Sequence, residues 1–99
     1  VGSEMCIETV LGIVHGGVLY SLADTVGGTA AMTGRDYAVP TVDGTIHYLK
    51  AGKNTSKIIA RAQEIQNGYA FSVCECKIYD DKETLLASAT MTYYHLRKR

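Results

Sequence analysis

Between His15 and Thr33 the chain carries its one long segment with a helical period, and that segment is built from small residues. Leu19, Ala23, Gly27 and Ala31 recur at every fourth position, and Leu22, Val26 and Ala30 form the adjacent row. The two rows make an apolar stripe along one side of a helix. Glycine in a helix interior costs about 1 kcal/mol relative to alanine. Keeping Gly27 and Gly28 there implies close packing against whatever covers the helix. Tyr20, Asp24 and Gly28 lie on the flank of the stripe. Gly34 is placed to end the helix, as C-terminal glycines do.

Past Ala38 the period changes to two. Residues 39–49 read as a strand, with Pro40 near its start, where a missing N–H is tolerated. Gly44 marks either a bulge or a close approach of the helix. Residues 57–66 and 69–79 read as two strands joined at Asn67-Gly68, a strong two-residue hairpin signal. Residues 84–96 form the last strand, and residues 4–8 a short one ahead of the helix. Residues 9–14 read as a loop and 51–56 as a polar turn. In the 69–79 strand, Ala70, Ser72, Cys74, Cys76 and Ile78 share one face. That face carries the smaller side chains and is expected to lie against the helix. The order predicts an α+β layout, an antiparallel sheet with one long helix on one face, in a single domain over residues 1–99. The opposite face, with aromatic and mixed polar residues, is expected to meet a partner subunit or sheet.

Ten basic and ten acidic residues leave no net charge, which argues against a general nucleic-acid or membrane binder. No apolar run is long enough to span a bilayer, and no signal peptide is visible. Cys6, Cys74 and Cys76 fit no zinc spacing, and His47 and His95 lack a ligand at metal-binding spacing, so no metal is expected. The cysteines are expected to be reduced and in or near the core of a cytoplasmic protein. The chain opens at Val1, which fits a fragment or a processed protein.

The start of the helix is chemically more pointed. The first N–H groups of any helix have no acceptor inside it, and the dipole makes that end positive. With Gly16 and Gly17 offering no side chains to shield it, this end suits a carbonyl oxygen that becomes an oxyanion. Asp24 lies two turns further on, about 10 Å along the axis from Gly17. The two serve one reaction only by meeting across a subunit interface. On composition alone Asp24 reads as an exposed helix carboxylate. His15 reads as a helix-start residue bonded to backbone, with no serine or cysteine beside it to activate.

Three blocks stand in a distinctive order and spacing: Gly12-Ile13-Val14-His15-Gly16-Gly17, then Ser21-Leu22-Ala23-Asp24-Thr25, then Val42-Asp43-Gly44-Thr45-Ile46-His47-Tyr48-Leu49. Together they resemble the hotdog-fold acyl-CoA thioesterases. The nearest branch holds the phenylacetate-pathway and human-type enzymes and one class of 4-hydroxybenzoyl-CoA thioesterase. The resemblance runs from about Glu4 to Leu96. It implies an antiparallel sheet wrapped around one long central helix. It also implies hydrolysis of an acyl-CoA to free acid and coenzyme A, with no cofactor, since coenzyme A is part of the substrate.

By the same resemblance, the Gly16 N–H polarises the thioester carbonyl. Asp24 of the subunit across the interface acts as general base or nucleophile, the Thr41 hydroxyl helps place the water, and His15 is a structural or orienting neighbour. It further implies homodimers with sheets paired edge to edge, often paired again into tetramers, with active sites between subunits. Thr9 departs from the pattern, because the family carries Asn or Gln there to hold the carbonyl or the water. Ala51 replaces a common proline, and the family's N-terminal helix is missing from these residues. Gly17 and the basic tail of Arg97, Lys98 and Arg99, with Lys50 and Lys53, are candidates for binding the substrate and its phosphates. Two rival readings remain open. One is a hotdog dehydratase or hydratase, whose histidine–carboxylate arrangement is not found here. The other is an inactive acyl-CoA-binding module, which Thr9 favours.

Overall fold

The small-residue stripe folds into the single long helix that its period predicts. The computed structural model describes residues 2–8, 13–14, 16–50, 52–53 and 57–97, and in it α1 spans Gly16–Met32. Leu19, Leu22, Ala23, Val26, Ala30 and Ala31 are all buried; each leucine or valine so covered contributes about 1.5–3 kcal/mol. On the exposed side Thr25, Thr29 and Thr33 each donate to the carbonyl four residues back, so this side is polar without being charged. Gly34 adopts a left-handed φ of 76° just past the helix, a conformation that costs a glycine little.

The strands are β1 (Gly2–Glu8), β2 (Ile13–Val14), β3 (Thr41–Tyr48), β4 (Gly52–Lys53), β5 (Lys57–Asn67), β6 (Phe71–Asp80) and β7 (Leu85–Tyr94). Five of them form one antiparallel sheet in the order β1-β5-β6-β7-β3, and β2 pairs with β4 in a separate two-residue ribbon. The helix packs on one face of the large sheet. Ser72, Cys74, Cys76 and Ile78 of β6 point at it and are buried, as their size predicts. The thiols of Cys74 and Cys76 donate to the carbonyls of Gly27 and Ala23 at 3.5 and 3.3 Å. Burial pushes both thiols up, to about 11 and about 12, so they act as inert packing groups.

Several expectations are corrected. The hairpin between β5 and β6 turns at Tyr69-Ala70, closed by the Gly68 N–H donating to the Phe71 carbonyl. Asn67 stays in the ladder opposite Ser72 because a bulge between Glu64 and Gln66 shifts the register by one. Residues 13–14 and 52–53, read as loop and turn, pair with each other. β3 has no hairpin partner in sequence; it crosses over to pair with β7 at the sheet edge. Cys6 is exposed: it pairs with Ile59, and alternation places it beside Glu4 on the face away from the helix. Gly44 marks a close approach, since a Cβ there would run into the Tyr20 hydroxyl and the Met91 sulfur. The bulge in β3 lies two residues earlier, at Val42.

Candidate active site

That bulge shapes the site. Gly44 pairs with Met91 and Asp43 with Thr92, but Thr41 pairs with Tyr93. The extra residue, Val42, reverses the alternation, so Thr41 shares the helix-facing side with Tyr93. Across from them on α1 sits Asp24, half-buried. The Thr41 hydroxyl donates to Asp24 Oδ1 at 2.7 Å. The Tyr93 hydroxyl lies 2.9 Å from the Asp24 main-chain oxygen and 3.3 Å from Oδ1. Among the described residues, Oδ2 has no hydrogen-bond partner. Tyr93 is 1% exposed. Burial, and then the Asp24 charge, push its hydroxyl far above the usual tyrosine value, so it remains a donor at any working pH.

The other proposed site residues fall elsewhere. Gly16 and Gly17 open α1, as the motif predicts. Asp24 stands eight positions past Gly16, about 12 Å along the axis at 1.5 Å per residue. One chain therefore does not bring them together. Arg97 stacks its guanidinium on the rings of Tyr69 (4.0 Å) and Tyr37 (5.1 Å) and donates to the Tyr69 carbonyl. None of these contacts reaches Asp24 or Thr41. Thr9, His15 and Lys98 lie outside the described residues. An open groove of about 550 Å³ on the outer sheet face, lined by Glu4, Arg61, Gln63, Glu75, Lys77 and Tyr79, does not include Asp24. Its charges pair among themselves, Arg61 with Glu4 at 2.6 Å and Lys77 with Glu75 at 3.4 Å, as on an ordinary solvated surface.

Sequence reasoning missed a second polar cluster. His95 is buried, with Nδ1 2.8 Å from the Tyr37 hydroxyl and Nε2 2.6 Å from the buried Ser72 hydroxyl. Burial, then the charges of Arg35 and Arg97, lower its pKa. Close by, Arg35 reaches Glu64 at 3.2 Å and donates to Asn67 Oδ1 at 2.6 Å. The available signal was Ser72 itself: a hydroxyl on a face predicted to be buried must find a partner.

Residues 11–87 match the thioesterase superfamily. This chain belongs to that superfamily. Its structure overlays on proteins that share the fold. One is a Streptococcus mutans protein solved with acetyl-CoA (TM-score 0.88, 24% identity, 99% of this chain and 83% of that one). Another is the PaaI protein of the Escherichia coli phenylacetic acid degradation operon (0.89, 22%, 97% and 73%). A third is a Bacillus halodurans protein solved with coenzyme A (0.86, 28%, 97% and 68%). A relative from Archaeoglobus fulgidus, provisionally named an esterase, is 27% identical over 86 residues. The chain spans 55% of that relative's length, although the match takes in 87% of this chain. The fold of this superfamily member is thus the hotdog: one long helix against an antiparallel sheet. No helix among its described residues is long and apolar enough to cross a membrane.

Proposed function

We propose that this thioesterase-superfamily protein hydrolyses an acyl-CoA thioester, with Asp24 as the base that activates water. The observation that carries this reading is the asymmetry of the Asp24 carboxylate. Thr41 and Tyr93 engage Oδ1, while Oδ2 has no partner among the described residues. A carboxylate so held has one oxygen fixed and the other available to take a proton. In the reaction, Oδ2 accepts a proton from water and the water oxygen bonds to the carbonyl carbon. The carbonyl electrons then return, the C–S bond breaks, and the departing coenzyme A thiolate takes up the proton held on Oδ2, which restores the carboxylate. The alternative course, direct attack by the carboxylate, would form a mixed anhydride that water then cleaves. The solved relatives holding acetyl-CoA or coenzyme A support this substrate class.

The Gly16 N–H is the proposed donor to the developing oxyanion. Because it stands about 12 Å along α1 from its own Asp24, the two act together in a homodimer, each site taking Gly16 from one subunit and Asp24 from the other. Pairing of such dimers into tetramers and a cytoplasmic location belong to the same reading.

The test is thiol release from acetyl-, octanoyl-, palmitoyl- and phenylacetyl-CoA by wild type and Asp24→Asn. Wild-type turnover that falls by about 10²–10⁴-fold in the variant, with acyl-CoA still bound, is the expected outcome. A wild type that binds these thioesters and hydrolyses none would instead make the protein an acyl-CoA-binding module.

A further inference from the structure

Of the two hydroxyls that engage Asp24 Oδ1, the one from Tyr93 is the more deeply built into the fold. Its ring comes from β7 and its hydroxyl ends against α1, where it lies between the Asp24 carbonyl at 2.9 Å and Oδ1 at 3.3 Å. Both are acceptors, so its single proton serves the two as a three-centre bond. When the carboxylate is ionised, it is the stronger acceptor.

The helix is shaped to admit this hydroxyl. A Cβ at Gly27 would collide with the Tyr93 hydroxyl and would stand 3.0 Å from the Cys76 sulfur. At Gly28 it would meet only the edge of the Tyr93 ring, at an ordinary 3.6 Å. Gly27 is thus the position where an absent side chain is required, despite its cost to the helix. The pairing of Tyr93 with Thr41 across the strands brings the second hydroxyl to the same oxygen.

We propose that Tyr93 is a positioning residue for Asp24: entering the space left by Gly27, its hydroxyl works with Thr41 to hold Oδ1 and turn Oδ2 toward the reacting water. This rests on Asp24 being the base. A hydroxyl that served only to satisfy the helix carbonyl would stabilise the fold and leave the carboxylate indifferent to its loss.

Tyr93→Phe keeps the ring and removes the hydroxyl, so two measurements on the folded variant decide the matter. The first is steady-state kinetics on the best substrate of the acyl-CoA panel. The second is the ¹³C resonance of the Asp24 side-chain carboxyl at pH 7, assigned by its loss in Asp24→Asn. The expected result is a kcat about tenfold lower with KM within about twofold, together with a displaced carboxyl resonance. An unmoved resonance overturns the proposal whatever the rates do. A displaced resonance with unchanged kcat overturns it as well, since the carboxylate would then be held without consequence for turnover. If the wild type hydrolyses nothing in the panel, the thioesterase reading fails separately, and the resonance alone decides whether Tyr93 holds the carboxylate.

Discussion

Tyr93 and His95 lie two residues apart on one strand and its extension, and both are buried, at 1% and 3% exposure. They serve opposite kinds of polar cluster. Tyr93 reaches a half-buried carboxylate that keeps one oxygen without a partner among the described residues. His95 has both ring nitrogens closed, by Tyr37 and Ser72. Histidine is the side chain most often used for proton transfer near neutral pH, yet here the histidine has spent both ring nitrogens inside the fold, and the aspartate is the group we propose for proton transfer. What separates them is the unspent hydrogen-bonding capacity of an accessible atom. A buried group whose donors and acceptors are all matched stabilises the fold; a group held on one side only can act on something new.

The contrast can be broken by exchange of consequences. Asp24→Asn is expected to abolish thiol release and leave the thermal midpoint near wild type. His95→Ala should do the reverse. It strands the Ser72 and Tyr37 hydroxyls and leaves a cavity, at a cost of about 2–3 kcal/mol or roughly 10 °C in melting temperature, while turnover per folded molecule survives. A His95 variant that melts normally but fails to turn over would undo the distinction.

The histidine also gives the fold a pH dependence with a definite sign. Its folded pKa is lowered, so the unfolded chain binds the proton more readily. Its contribution is fully present above the unfolded value of about 6.5 and is lost as pH falls below that toward the folded value. Chemical denaturation at several pH values should show stability dropping through this window in wild type, with a shallower slope in His95→Gln.

A smaller effect is expected at Thr41. A hydrogen bond to a charged group is worth about 1.5–3 kcal/mol, so Thr41→Val should lower kcat by about tenfold or somewhat more, read in the same thiol-release assay. Loss in KM alone would place the hydroxyl on the substrate instead of on Asp24. The smallest effect sharpens the role of the neighbouring glycines. Gly28→Ala meets only the edge of the Tyr93 ring and should stabilise the helix by up to about 1 kcal/mol, measured by thermal melting with activity retained. Destabilisation by that change would mean that Tyr93 is packed against Gly28 as tightly as against Gly27.

The periodic features of the chain were legible because they are local. The stripe from Leu19 to Ala31 repeats every turn whatever covers it, and alternation along β6 separates Cys74 and Cys76 from Val73 and Glu75 before any partner strand is known. Those patterns, with the His-Gly-Gly and Leu-Ala-Asp blocks, determined the helix, the antiparallel sheet and the family. The partners of Asp24 were decided by tertiary structure alone. Thr41 faces the helix because Val42 is an extra residue in β3 relative to β7, and a bulge exists only where two strands are compared. Tyr93 reaches Asp24 because Gly27 leaves a gap in the facing helix, and Thr41 joins it there because a crossover sets β3 beside β7. The same holds for His95, whose Nδ1 meets the hydroxyl of Tyr37, 58 residues away in the chain. Periodicity is written in one segment at a time, whereas a hydrogen bond between segments depends on their register, and register is a property of the assembled sheet.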